Sequence, residues 1–147
     1  MSIGRFAVAA AFLGASSFAA AANDYSTLNG EWRGQAQFHA RIGTDHDPKA
    51  HAVTELSIAI DPDGKLVGSS TANGCRVLGL AAPSGPRTVF NLDVTLSGCQ
   101  YPGFNRRFSG NLFLYPKEQY ASLRLRSYTA NTGPKSLSFD IRAALKR

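Results

Sequence analysis

Long apolar runs, closely spaced cysteines and concentrated basic tracts are what this sequence has little of. Beyond residue 22 no second long apolar stretch occurs, which leaves no integral membrane segment in the mature chain. The two cysteines, Cys75 and Cys99, form no Cys-x-x-Cys pair and have no histidine beside them, which excludes the usual signature of thiol redox catalysis. A Gly-x-Ser-x-Gly elbow and a His-Glu-x-x-His pair are both missing, so neither a nucleophilic-serine nor a zinc-hydrolase motif is written in the chain. No Lys/Arg-rich tail or basic helix focuses the positive charge, which speaks against a nucleic-acid module. No mature segment carries a long amphipathic helical pattern either.

What is present begins with an export signal over residues 1–22. Arg5 precedes an apolar run from Phe6 to Leu13, and small residues at Ala20 and Ala22 place cleavage after Ala22. Gly14, Ser16 and Ser17 interrupt the run before it reaches the roughly 20 residues of a membrane span, and no cysteine near the cleavage site offers a lipid anchor. Residues 23–147, about 125 in number, are expected to form a single β domain in the periplasm or secreted. In such an oxidising compartment Cys75 and Cys99, 24 positions apart, are expected to be a disulfide. Closing a loop of that length stabilises a fold by about 3.5 kcal/mol in the chain-entropy picture.

Period-two alternation runs through the domain. Trp32, Gly34, Ala36, Phe38, Ala40 and Ile42 share one face of the first strand, with Arg33, Gln35, Gln37, His39 and Arg41 on the other. A polar loop from Gly43 to Ala50 leads to a strand from Ala52 to Ile60, and Asp61-Pro62-Asp63-Gly64 is a strong turn signal. Further strands begin at Leu66, Cys75 and Thr88, then carry Phe108 to Leu114, Tyr120 to Tyr128 and Leu137 to Ala143, with a last turn at Asn131-Thr132-Gly133-Pro134. The fold class is all-β: one antiparallel meander of about eight strands, barrel-like because closure removes exposed edges, with a two-sheet β-sandwich as the alternative. The Cys75–Cys99 bond pins strand ends in either arrangement.

The formal charge of +6, or +5 once Arg5 leaves with the signal, favours an anionic partner such as an acidic envelope component or protein. Arg124 and Arg126 recur at period two between Tyr120 and Tyr128, and Arg142 lies on the next strand, so guanidinium forks beside aromatic rings are the leading candidate ligand-binding group. Arg106 and Arg107, beside Tyr101 and Phe104, form a second candidate patch, while Tyr101 and Phe104 alternatively cover a barrel end. His39, His46 and His51, with Asp45, Asp47 and Glu55 nearby, supply metal-ligand chemistry without metal-ligand spacing; no metal, cofactor or catalytic residue is assigned. A hydrolase would have to combine His39 with Asp93 or Asp140 and a serine. The expected function is a non-enzymatic, envelope-associated or partner-binding protein. A metal-dependent or hydrolytic enzyme is the first alternative and a small lipophilic-ligand carrier the second.

The segments Asn29-Gly30-Glu31-Trp32-Arg33-Gly34, Asp63-Gly64-Lys65-Leu66-Val67-Gly68, Asn73-Gly74-Cys75, Leu96-Ser97-Gly98-Cys99 and Phe108-Ser109-Gly110 resemble a group of small exported proteobacterial β proteins of unknown function. The overall pattern is also similar to a Burkholderia-type exported antigen. The resemblance implies a periplasmic or surface β protein recognised by antibodies, and the missing lipobox cysteine departs from the lipoprotein members of the group.

Overall fold

The computed structural model describes Tyr25, residues 27–129 and residues 136–147. The expected export signal and the turn at Asn131–Pro134 lie outside the described residues. The alternating segments become β1 (Gly30–Ile42), β2 (Asp45–His46), β3 (Ala52–Ile60), β4 (Lys65–Ser70), β5 (Cys75–Pro83), β6 (Val89–Ser97), β7 (Arg107–Tyr115), β8 (Tyr120–Tyr128) and β9 (Leu137–Lys146). From β3 onward each strand pairs antiparallel with the next, β1 pairs with β3, and β1 pairs again with β9, with Gly34 opposite Leu145 and Ala40 opposite Phe139. The result is a closed eight-strand antiparallel barrel carrying one short extra strand, β2, and not a two-sheet sandwich. No described helix is long and apolar enough to cross a membrane.

Two local expectations change. The segment after Ile42 is not all loop, because Asp45 and His46 fold back to pair with Ile42 and Arg41 as β2. Ile42 itself, expected on the core face, is 46% exposed. Its cross-strand neighbours are Leu137 and the polar β2, at the rim of the barrel where the core has ended. The Asp61–Gly64 turn forms as its composition directs: the Asp61 carboxylate accepts from the backbone N–H groups of Asp63 and Lys65 at 2.9 Å, and Gly64 takes a φ of 83°.

Inward-facing side chains fill the barrel. Phe38, Phe90, Phe104, Phe108 and Phe139 are its largest fully buried rings. At the end reached by the last third of β1, Phe104 lies 5.3 Å from Phe38 and 5.4 Å from Phe139, centroid to centroid, in edge-to-face packing. At the opposite end Trp32 is buried, as its phase in β1 requires, and its indole N–H donates to the Leu28 carbonyl at 2.8 Å. Arg147 covers that end: its guanidinium sits 4.8 Å over the Trp32 ring and donates to the carbonyls of Thr27 and Asn29, both at 2.7 Å.

The disulfide joins Cys75, the first residue of β5, to Cys99, just past the end of β6. Arg76 is paired with Ser97, so the covalent link closes the rim of a ladder already in register. Replacing both cysteines with alanine is expected to lower unfolding free energy by about 3 kcal/mol. Urea denaturation of the folded double variant measures this, and a loss under about 1 kcal/mol would show that the ladder alone holds this rim.

Candidate functional site

On a barrel whose inner side chains are committed to packing, ligand chemistry falls to the outer face, and strand register decides which outer side chains meet. Along one line crossing five strands stand Asn91, Asn111, Arg124, Arg142 and Gln37, each directly opposite the next. Arg124 and Arg142 therefore face each other across β8 and β9, and both are exposed. Among the described residues neither takes part in an ion pair. Like charges directly opposite on a sheet repel, so this arrangement costs stability where it stands. Asn111 is fixed beside Arg124 by donating its amide to Asn91 at 2.8 Å.

Two shallow concavities flank the arginine pair. One, of about 260 Å³, is bordered by Ser109, Asn111, Arg124, Arg126, Asp140 and Arg142. The other, of about 340 Å³, is bordered by Gln35, Gln37, Tyr120, Ser122, Arg124 and Arg142. They exist because the next line of residues is small: Ser122 faces Ala144, and Ala144 faces Gln35.

The remaining candidates separate by their partners. Arg126 lies opposite Asp140 and its Nε is 2.9 Å from that carboxylate, so its charge is already balanced. Tyr128 first, then Asp140, hold the Arg126 proton more firmly than an isolated guanidinium holds its own. Arg107 forks onto Asp93, with Nε to Oδ1 at 2.7 Å, and the same hydrogen-bonded pairing depresses the Asp93 carboxyl. Arg106 turns inward and stacks 4.0 Å over the Phe139 ring while donating to the Gly103 carbonyl at 2.6 Å. It braces the excursion that carries Phe104. Tyr120 borders the larger concavity and packs its ring 5.3 Å from Tyr115, whereas Tyr128 stands 67% exposed at the far end of β8.

The structure thus brings Arg124 and Arg142 together and leaves Arg106 and Arg107 engaged elsewhere. Gln37, Asn111 and Ser122 are the members that period-two reading passed over, because each is an ordinary outward polar residue until the register sets it beside an arginine. Of the groups a hydrolase would need, His39 faces Asp140 directly, but Asp93 is held by Arg107 on the far side of β7, β8 and β9.

No protein-family model, curated protein or solved structure matches this chain, which leaves the geometry of its own residues as the ground for a functional reading.

Proposed function

We propose that the chain is a non-enzymatic binding module of the cell envelope or extracellular space. In this reading it captures an anionic partner on the outer face of β8 and β9. The observation that carries this reading is the facing pair Arg124 and Arg142, two exposed guanidinium groups that take part in no ion pair among the described residues, the bordering Asp140 being engaged by Arg126. A carboxylate, phosphate or sulfate lying between them relieves their repulsion and accepts forked hydrogen bonds from both, with Gln37, Asn111 and Ser122 positioned to add neutral ones. The packed Phe and Leu interior favours this surface over a lipophilic cargo inside the barrel. Residence outside the cytoplasm belongs to the same proposal and is supported by the Cys75–Cys99 bond, since disulfides persist in oxidising compartments.

Retention on immobilised heparin at low salt tests the site. Losing two charge-assisted contacts is worth more than 1.4 kcal/mol, so the double variant Arg124→Gln/Arg142→Gln is expected to bind at least about tenfold more weakly. Arg76→Gln/Arg87→Gln removes the same charge from other exposed positions and is expected to change binding by under about threefold. Equal weakening by the two doubles would reduce the effect to net charge and reject the site. The thermal midpoint of the first double should stay level or rise slightly, because a repulsive pair has been removed.

A further inference from the structure

Three histidines distant from one another in spacing terms meet on the outer face near the rim of β1. His39 projects outward from β1, His51 directly precedes β3, and His46 is the second residue of β2. The pairing of Phe38 with Ala52 sets His39 beside His51, and the pairing of Arg41 with His46 folds β2 back along the same side of β1. The His39 and His51 rings are 4.7 Å apart, centroid to centroid, with their Nδ1 atoms 3.2 Å from each other. His46 stands 6.1 Å from His39 by the same measure. His46 and His51 are exposed and His39 is half-buried, so core packing does not account for gathering three imidazoles here.

The 3.2 Å separation is informative. Two imidazole nitrogens bound to one tetrahedral zinc at about 2.05 Å stand about 3.3 Å apart, so the two Nδ1 atoms already lie at the spacing of two corners of such a site. Without metal, the same spacing is filled by a single shared N–H between neutral rings. With metal, each ring carries its proton on Nε2 and presents the Nδ1 lone pair, so binding to the neutral pair moves protons between ring nitrogens and releases none. Among the described residues no three His, Cys, Asp or Glu side chains already close around one point. The third ligand must therefore come by rotation of His46, which sits on a two-residue strand at a hairpin tip.

We propose that His39 and His51 form an Nδ1 clip for one borderline divalent transition-metal ion of the zinc, nickel or copper(II) class, completed by His46 and water. Imidazole sets of this kind select that class over magnesium or calcium, which require oxygen ligands. Burial, then the neighbouring His51, His46 and Arg142, hold His39 below its ordinary proton affinity, against an opposing contribution from Asp140. That direction favours the neutral ring, the form that ligates. The charged and titratable groups facing it are Asp140 and Arg142 from β9, His46 from β2 and His51 ahead of β3, with Arg41 on its own strand. Protons compete with the metal for imidazole nitrogen, so affinity should decline on acidification.

Calorimetric titration of the full disulfide-bonded chain, prepared without a histidine tag, with zinc chloride and then nickel chloride tests the clip. One ion per chain is expected, with affinity at least tenfold lower in His39→Gln and in His51→Gln, a smaller loss in His46→Gln, and weakening from pH 7.5 to 5.5. Nitrogen NMR of the unaltered protein supplies a readout independent of any variant: zinc should shift Nδ1 of His39 and His51 and leave the proton on Nε2. Absence of binding at 100 µM metal, or binding untouched by His39→Gln and His51→Gln, would overturn the proposal. Arg124→Gln alone, which halves the anion pair and leaves every group facing His39 in place, should bind metal as the parent does, so failure of the anion site and failure of the clip are separately visible.

Discussion

Gly110→Val is expected to cost the barrel about 4 kcal/mol, a large share of the roughly 5–15 kcal/mol that holds an ordinary domain folded. Gly110 lies in the inward phase of β7, between Phe108 and Leu112, yet no side chain fills its place. A Cβ added there would fall inside the contact radius of the Arg124 carbonyl oxygen and 2.8 Å from its carbonyl carbon. Those atoms belong to the backbone of β8 and cannot swing aside, so accommodation requires moving a strand in a closed ladder. Gly34 meets β9 in the same way, with an added Cβ 2.9 Å from the Ala144 carbonyl carbon. The β8 and β9 strands, which carry Arg124 and Arg142, are therefore held between two neighbours that bend onto them at glycine. Ser109→Val, one residue away and outward, is the control and should change stability by under about 0.5 kcal/mol. Urea midpoints at unchanged slope measure both. A Gly110→Val protein within 1 kcal/mol of the parent would show that β7 and β8 can part without loss.

Gly34 and Gly110 also mark where sequence reading stops. Their phase assigns them to the core face, which is correct, but alternation says nothing of the neighbour that a missing side chain admits. The eight barrel strands, though not β2, the Asp61–Gly64 turn, the burial of Trp32 and the joining of Cys75 to Cys99 are legible, because each follows from local period, turn chemistry or cysteine number. Closure is favoured but not compelled by such signals: pairing of β1 with β9 depends on the accumulated twist and stagger of the intervening strands.

Register governs the candidate site even more strongly. Arg124, Arg126 and Arg142 are recognisable as outward arginines from their spacing, but their states are set by what stands across the β8–β9 ladder. In the observed register Arg126 meets Asp140 and Arg124 meets Arg142. A slip of two residues would preserve every inward and outward assignment while placing Arg124 opposite Asp140 and Arg126 opposite Ser138, which would neutralise the wrong arginine. The histidines follow the same logic. Their spacing of 39, 46 and 51 fits no metal motif, and only the fold-back of β2 and the β1–β3 pairing bring their rings together.

Removing the Phe104 ring should destabilise the barrel by about 4 kcal/mol, close to the loss from Gly110→Val but by the opposite route, a void instead of a collision. Phe104 is 2% exposed although it lies outside any strand, on the short turn Pro102–Phe104. Its ring closes one end of the barrel against Phe38, Phe139, Tyr101 and Phe108. The turn is anchored around it: the Asn105 side chain accepts from the Cys99 N–H at 2.8 Å, the Tyr101 hydroxyl donates to Asp47 at 2.6 Å, and Arg106 spans the Gly103 carbonyl and the Phe139 face. Neighbours held this firmly cannot collapse into the space that alanine would leave, which places the cost at the upper part of the range for buried aromatics. The void would also adjoin a surface concavity of about 270 Å³ bordered by Phe38, His51, Cys75, Cys99 and Tyr101, opening the core to solvent beside the disulfide. Phe104→Leu retains most of the volume and should cost about half as much. Equilibrium unfolding of both variants gives the comparison, with binding of an apolar dye reporting the opened end. If alanine and leucine prove equally mild, near 1 kcal/mol, the aromatic plug is an ornament of the rim and the barrel is closed by its ladder and the Cys75–Cys99 bond alone.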